Sequence, residues 1–211
     1  MQLELVIFDM DGTIVLDEGI YKLAFLKVLD NKFHKKIGDL ELIGGIGVKK
    51  EWEILSKEFK IETKNLDELV LLTEEEYLRR IDKIKESPGF KEFVEELKDK
   101  GIHIALATSS SWKITDAILN KLGWENLFDA ITTIEEVTEP KPDPEIFLLS
   151  ANKIGVEPDM CMVIEDSQAG IEAAKAAGMQ AVGITNGDIN KELKDVDLAI
   201  NHFDEIEIGV K

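Results

Sequence analysis

Thiols are nearly missing from this chain: Cys161 is the only cysteine among 211 residues. That excludes an internal disulfide and any CxxC or zinc-ribbon arrangement, and it fits a reducing compartment. The residue lies in "MCMVI", a setting that suits core packing. Long apolar runs are also lacking. No stretch approaches the eighteen or more residues of a membrane span, and the opening "MQLELVIFD" has no basic lead, so the expectation is a soluble, cytoplasmic protein. Arginine is confined to Arg79 and Arg80, and the formal net charge is -18. Nucleic-acid phosphates are held by clustered lysine and arginine, so an acidic chain without an aromatic-rich basic patch is not expected to bind them. His34, His103 and His202 show no metal-ligand spacing.

What remains is a chain with 44% hydrophobic residues, long enough for one good domain or for one domain carrying a smaller insertion. Acidic residues mostly alternate with lysines on helical segments, the pattern of solvated faces. Short apolar, β-branched runs at 3–8, 102–108, 130–133, 160–164 and 181–184, with a weaker one at 198–200, predict strands. From residue 90 onward they alternate with helical patterns such as "FKEFVEELKDK" and "QAGIEAAKAAG", several of which stop at glycines, among them Gly101, Gly123, Gly155 and Gly178. Strand and helix in alternation predict right-handed βαβ units: an α/β fold, a doubly wound parallel sheet. Residues 16–85 break that alternation with three helical stretches and no strand pattern. They are expected to form an inserted α-helical subdomain, leaving 1–15 and 86–211 as the α/β core, with "SPG" at 87–89 marking the return.

The stretch "FDMDGT" at 8–13 places two carboxylates two residues apart at the end of the first predicted strand. In extended chain, residues i and i+2 point the same way, so Asp9 and Asp11 are expected roughly 6 to 7 Å apart on one side of the backbone. A plain turn needs only "DG". In an open parallel sheet, ligands bind beyond the carboxyl ends of the strands, so the other strand ends are the places to search. They carry "ATSSS" at 107–111 and "IEDS" at 164–167, and the loop "EPKPDPE" places Lys141 just ahead of a helix that Pro144 can start. Taken singly, Thr108 to Ser111 could cap a helix, Glu165 and Asp166 could favour a helix start, and Lys141 could lie on the surface. Together they gather four carboxylates, one ammonium and one hydroxyl at one end of one sheet.

Carboxylates crowded in one cleft raise each other's pKa unless a cation neutralises them, and an all-oxygen donor set suits Mg2+. A magnesium site draws phosphate oxygens. The remaining phosphate charge could be met by the Lys141 ammonium, the Thr108 hydroxyl and the amides at the start of the helix near Trp112. One aspartate can then act as nucleophile in phosphoryl transfer while its neighbour moves a proton.

These residues resemble the haloacid dehalogenase (HAD) superfamily, in its phosphatase and beta-phosphoglucomutase-like branch. "DMDGT" is similar to the family's first motif, "ATSS" to its second, "KPDPEIF" to its third and "IEDSQAGIEAAKAAG" to its fourth, in the family's order. The resemblance implies a Rossmann-like core with a helical cap inserted after the first motif. It implies Asp9 as nucleophile and Asp11 as general acid and base. It assigns Mg2+ to Asp9, the backbone carbonyl of Asp11, and Asp166, with Glu165 reaching the ion directly or through water. Thr108 and Lys141 would bind the transferring phosphoryl group, helped by the backbone amides of Asp11 and Ser109.

The beta-phosphoglucomutases present a histidine and a cap arginine to a second phosphate and a sugar hydroxyl. Here Tyr21 stands where the histidine is expected, and the cap loop "LIGGIGVKKEW" offers Lys49 and Lys50. The departures favour a phosphatase of a small phosphorylated metabolite over a phosphomutase. A phosphate-sensing or partner-binding module without turnover would not require Asp11. The oligomeric state stays open.

Overall fold

The computed structural model describes residues 3–63, 65–188 and 191–208. Its centre is a six-stranded sheet in which every pairing is parallel. In chain order the strands are β1 (Leu5–Phe8), β4 (His103–Ala107), β5 (Ala130–Thr132), β6 (Cys161–Glu165), β7 (Gln180–Ile184) and β8 (Leu198–Ile200), and they lie in the order β5-β4-β1-β6-β7-β8. β1 is therefore flanked by β4 and β6, with Phe8 opposite Leu106 on one side and Ile164 on the other.

Period-two side-chain alternation divides the core in two. Val6, Phe8, Ile104, Leu106, Met162, Ile164, Val182 and Ile184 face one layer. Leu5, Ile7, Ala105, Ala107, Cys161, Val163 and Ala181 face the other. On the first face lie α4 (Phe90–Asp99) and α5 (Trp112–Leu122), and on the second α6 (Glu145–Ile154) and α7 (Gln168–Ala176). Phe8 anchors the first layer, its ring 5.3 Å from Phe90, 6.1 Å from Phe93 and 6.0 Å from Phe203. Both faces of β1 are thus sealed, and its carboxyl end lies between the carboxyl ends of β4 and β6.

After β1 the chain makes a tight turn and then a short strand, β2 (Val15–Leu16), which pairs antiparallel with β3 (Lys85–Glu86). Between these strands lie α1 (Glu18–Phe33), α2 (Val48–Glu58) and α3 (Leu66–Leu78). Their own core gathers Phe25, Val28, Leu29, Leu40, Trp52, Leu55, Ile61 and Leu69, and the Trp52 indole N–H donates to Thr73 Oγ1 at 2.8 Å. The block is not wholly separate. Ile20 and Ala24 of α1 and Tyr77 of α3 pack with the sheet's first layer. The sequence did not predict the β2/β3 hairpin. The helical pattern running into "RRIDKIK" gives way after Leu78 to one 3-10 turn and then to β3, because pairing with β2 overrides the local preference.

Candidate active site

The strand ends adjoining β1 supply the site. Asp9 follows Phe8 directly, Thr108 lies two residues past Leu106, and Glu165 and Asp166 follow Ile164, so the register sets them side by side. Lys141 reaches in from the loop ahead of α6. Its ammonium, fully buried, lies 2.6 Å from Asp9 Oδ1 and 3.0 Å from Glu165 Oε2. One oxygen each of Asp9, Glu165 and Asp166 lie within 4.8 Å of one another.

Local sequence makes room for this crowding. Gly12 has a φ of +80°, and a Cβ there would fall 2.3 Å from Asp166 Oδ2. The bare turn lets the Asp166 carboxylate close over it, where Thr13 Oγ1 donates to Asp166 Oδ1 at 3.2 Å. A Cβ on Gly170 in α7 would meet Glu165 Oε2 at 1.3 Å. The Glu165 carboxylate therefore lies flat against the helix start, its Oε1 accepting from the backbone N–H groups of Asp166 (3.0 Å) and Ser167 (3.1 Å). Helix capping falls to other residues: Ser111 caps α5 and Ser167 caps α7. Thr108 and Asp166 are left to the site.

Asp11 sits beside this cluster. Its Oδ2 accepts from Ser110 Oγ at 2.7 Å and from Thr108 Oγ1 at 3.2 Å. Asp17, buried at the start of α1, accepts from the Tyr77 hydroxyl through Oδ2. Asp11 Oδ1 and Asp17 Oδ1 are buried and receive no N–H or O–H among the described residues. A proton shared between these two buried carboxyls would satisfy both. Burial raises the Asp11 pKa, opposed by the bonds from Asp17, Ser110 and Thr108. Burial, reinforced by Asp11, pushes Asp17 well above the usual carboxyl range.

Burial, with Glu165 next in size, also pushes the Asp9 carboxyl well up, and Lys141 opposes the shift. Burial alone would lower the Lys141 pKa, but Asp9 and Glu165 outweigh it and keep the ammonium protonated. Three close carboxylates, Asp9, Glu165 and Asp166, thus face two ammonium groups, Lys141 and Lys191. An all-oxygen, net anionic donor set of this kind fits a hard divalent cation such as Mg2+.

The helical block roofs the site. Ser109 Oγ donates to the Gly45 carbonyl at 2.6 Å, and a Cβ on Gly45 would fall 2.2 Å from Ser167 Oγ. Beneath this loop lies a cavity of about 560 Å3, reached by Asp9, Asp11 and Asp166 from the core and by Tyr21, Phe25 and Val48 from the roof.

Asp9, Asp11, Thr108, Lys141, Glu165 and Asp166 therefore meet at one end of the sheet, and Ser109, expected to help through its backbone amide, gives its hydroxyl to the roof. Tyr21 spends its hydroxyl on Ser110 Oγ at 2.8 Å. Lys49 and Lys50 point away from the cavity, paired with Asp67 at 2.8 Å and Glu53 at 3.1 Å. Sequence reasoning missed Ser110, Asp17 and Lys191, the last of which pairs with Asp166. Ser110 was visible inside "ATSSS". Asp17, an acid directly after the apolar "TIVL", was a weaker signal, and nothing local marked Lys191.

Comparison with known proteins agrees with this geometry. A family model described as haloacid dehalogenase-like hydrolase matches residues 6–184. The chain is 35% identical to a phosphorylated carbohydrates phosphatase of Thermotoga maritima, over 85% of this chain and 84% of that one. It is 33% identical to a fructose-1-phosphate phosphatase of Escherichia coli, over 84% of this chain and 94% of that one. Among solved structures, beta-phosphoglucomutase from Clostridium difficile superposes with a TM-score of 0.84 at 29% identity, covering 98% of this chain and 94% of the other. The chain belongs to the haloacid dehalogenase-like hydrolase family and is an enzyme of its phosphatase type.

Proposed function

We propose that this enzyme is a magnesium-dependent phosphatase of small phosphorylated metabolites, sugar phosphates among them, acting through an aspartyl-phosphate on Asp9. One observation carries the reading: the Asp9 carboxylate lies 2.6 Å from the buried Lys141 ammonium at the floor of a cavity whose neighbouring carboxylate, Asp11, is held by two hydroxyls.

In the first step an oxygen of Asp9 attacks phosphorus, and the bond from phosphorus to the ester oxygen breaks. Asp11 delivers a proton to that oxygen, so the leaving group departs as a neutral alcohol. In the second step Asp11 takes a proton from water, whose oxygen attacks the phosphorus. Inorganic phosphate leaves and the Asp9 carboxylate is restored. Thr108 and Lys141 orient and neutralise the phosphoryl oxygens. Asp9, the Asp11 carbonyl, Asp166 and Glu165 would hold Mg2+, which supplies charge neutralisation for the transferring group. The roof over the cavity shields the first step from bulk water.

The likeness to beta-phosphoglucomutase is what favours phosphomutase chemistry as the second reading. Lys49 and Lys50, turned outward into ion pairs, favour the phosphatase. The test is phosphate release from a panel of sugar phosphates with Mg2+ and with chelator, beside the Asp9→Asn variant. Magnesium-dependent release lost in the variant supports the reading, and equal release from both proteins refutes it. Isomer interconversion primed by a sugar bisphosphate, without net phosphate release, would establish the mutase instead.

A further inference from the structure

Resting on that reading of the site, we propose that the roof of the cavity selects phosphate monoesters whose carbon skeleton carries no second anion, with Val48 and Glu51 as the specificity-determining residues.

The strand-end cluster can neutralise one phosphoryl group. Anything else on the substrate must face the roof. There Tyr21, Phe25, Leu40 and Val48 offer apolar surface, and Glu51 adds a carboxylate that is only 4% exposed. The bonds to Glu51 come from backbone N–H groups, Ile43 at 3.0 Å and Gly44 beside it, so its charge is solvated by amides and not cancelled by a cation. Asp17, Glu41 and Glu192 add carboxylates to the same lining.

Cations are few and already engaged. Among the described residues the lining holds Lys22 and Lys191; the first pairs with Asp39 at 2.5 Å and the second with Asp166. Both arginines pair with Glu76 on α3. At the start of α2, where one residue projects into the cavity, the chain places Val48, and its lysines at 49 and 50 lie on the outer side. A second phosphate or a carboxylate on the substrate would lose its hydration and meet Glu51, with the lining's Lys22 and Lys191 already paired to carboxylates, whereas a hydroxyl-bearing or amine-bearing skeleton would not meet that repulsion.

The experiment measures binding and turnover separately. Calorimetry on the Asp9→Asn protein with Mg2+ compares fructose 1-phosphate, fructose 1,6-bisphosphate and phosphoglycolate, the last being small enough to remove size as the cause. Fructose 1-phosphate is expected to bind about tenfold or more tightly than either ligand that carries a second anion. Val48→Arg and Glu51→Gln, made in the same background, are each expected to narrow that ratio about tenfold. Val48 is partly exposed at a helix start, so Val48→Arg keeps the test open if Glu51→Gln folds poorly. Equal binding of the three ligands, or a ratio that Val48→Arg leaves unmoved, overturns the proposal. Phosphate release by the unmutated protein reports on the phosphatase reading alone. If release fails while the ligands still sort in the Asp9→Asn protein, that reading falls and the selectivity stands.

Discussion

The Tyr77 hydroxyl donates to Oδ2 of Asp17, joining the end of α3 to the start of α1. Both side chains are buried, and Asp17 meets Asp11 on its other side. One short hydrogen-bonded chain thus runs from the helical block to the proposed proton-transfer group.

This arrangement makes Asp17 costly at neutral pH. Its pKa in the fold lies well above the ordinary 3.8, mainly through burial and next through Asp11. The unfolded chain therefore releases the proton first, and stability is lost as pH rises from 3.8 through the folded value. The loss is about 1.4 kcal/mol for each unit of elevation. Asp17→Asn should stabilise the metal-free protein at pH 7 and have little effect near pH 4, as read by urea denaturation at both. A difference independent of pH would refute this account.

Lys141 and Asp9 form a buried pair, and breaking it leaves carboxylates uncompensated. Lys141→Met should destabilise the metal-free protein by about 3 to 5 kcal/mol. Added Mg2+ should recover part of that loss, because a cation among the same carboxylates relieves the same repulsion. Denaturation midpoints with and without magnesium decide it.

Gly170→Ala tests the seat of Glu165. The new Cβ would coincide with Oε2, so the carboxylate must leave its two backbone N–H partners. Magnesium affinity should fall about 10- to 100-fold, with the far-ultraviolet circular dichroism unchanged. Titration of magnesium by calorimetry gives the answer, and unaltered affinity would show that Glu165 does not contribute.

Cys161 offers a check on packing far from the roof. It is 2% exposed, and burial, followed by Asp159 and Glu157, pushes its thiol from 9.0 up to about 11. The unfolded chain ionises first, so stability should decline as pH rises between those two values. Iodoacetamide at pH 8 should label the native protein far more slowly than the urea-unfolded chain.

Much of this was legible in the sequence because the signals were local. The β-branched runs at β1, β4, β6 and β7 are buried on both faces and so read as short apolar blocks, and the sites at their ends follow from sheet topology alone. The neck hairpin was not legible. "VL" and "KE" are two residues each and carry no pattern, and their pairing joins positions about seventy apart. Asp17 escaped for a similar reason: its meaning comes from Tyr77 and Asp11, which only the folded chain brings to it. The place of the "IGGIG" loop likewise comes from contacts distant in sequence, Ser109 bonding the Gly45 carbonyl and Ser167 lying against Gly45.

The same neck has a bearing on how such an enzyme can change. The chain leaves the core at Val15–Leu16 and re-enters at Lys85–Glu86, two partners in one ladder, with Ser87 N–H continuing the bonding to the Ile14 carbonyl at 2.9 Å. Entry and exit are adjacent, so the roof hangs from a two-rung clasp, while Ile20, Ala24 and Tyr77 tie it to the sheet's first layer. The register of β1 against β4 and β6 is set outside the stretch that lines the roof of the cavity, so chemistry and selectivity can diverge along separate stretches of one gene.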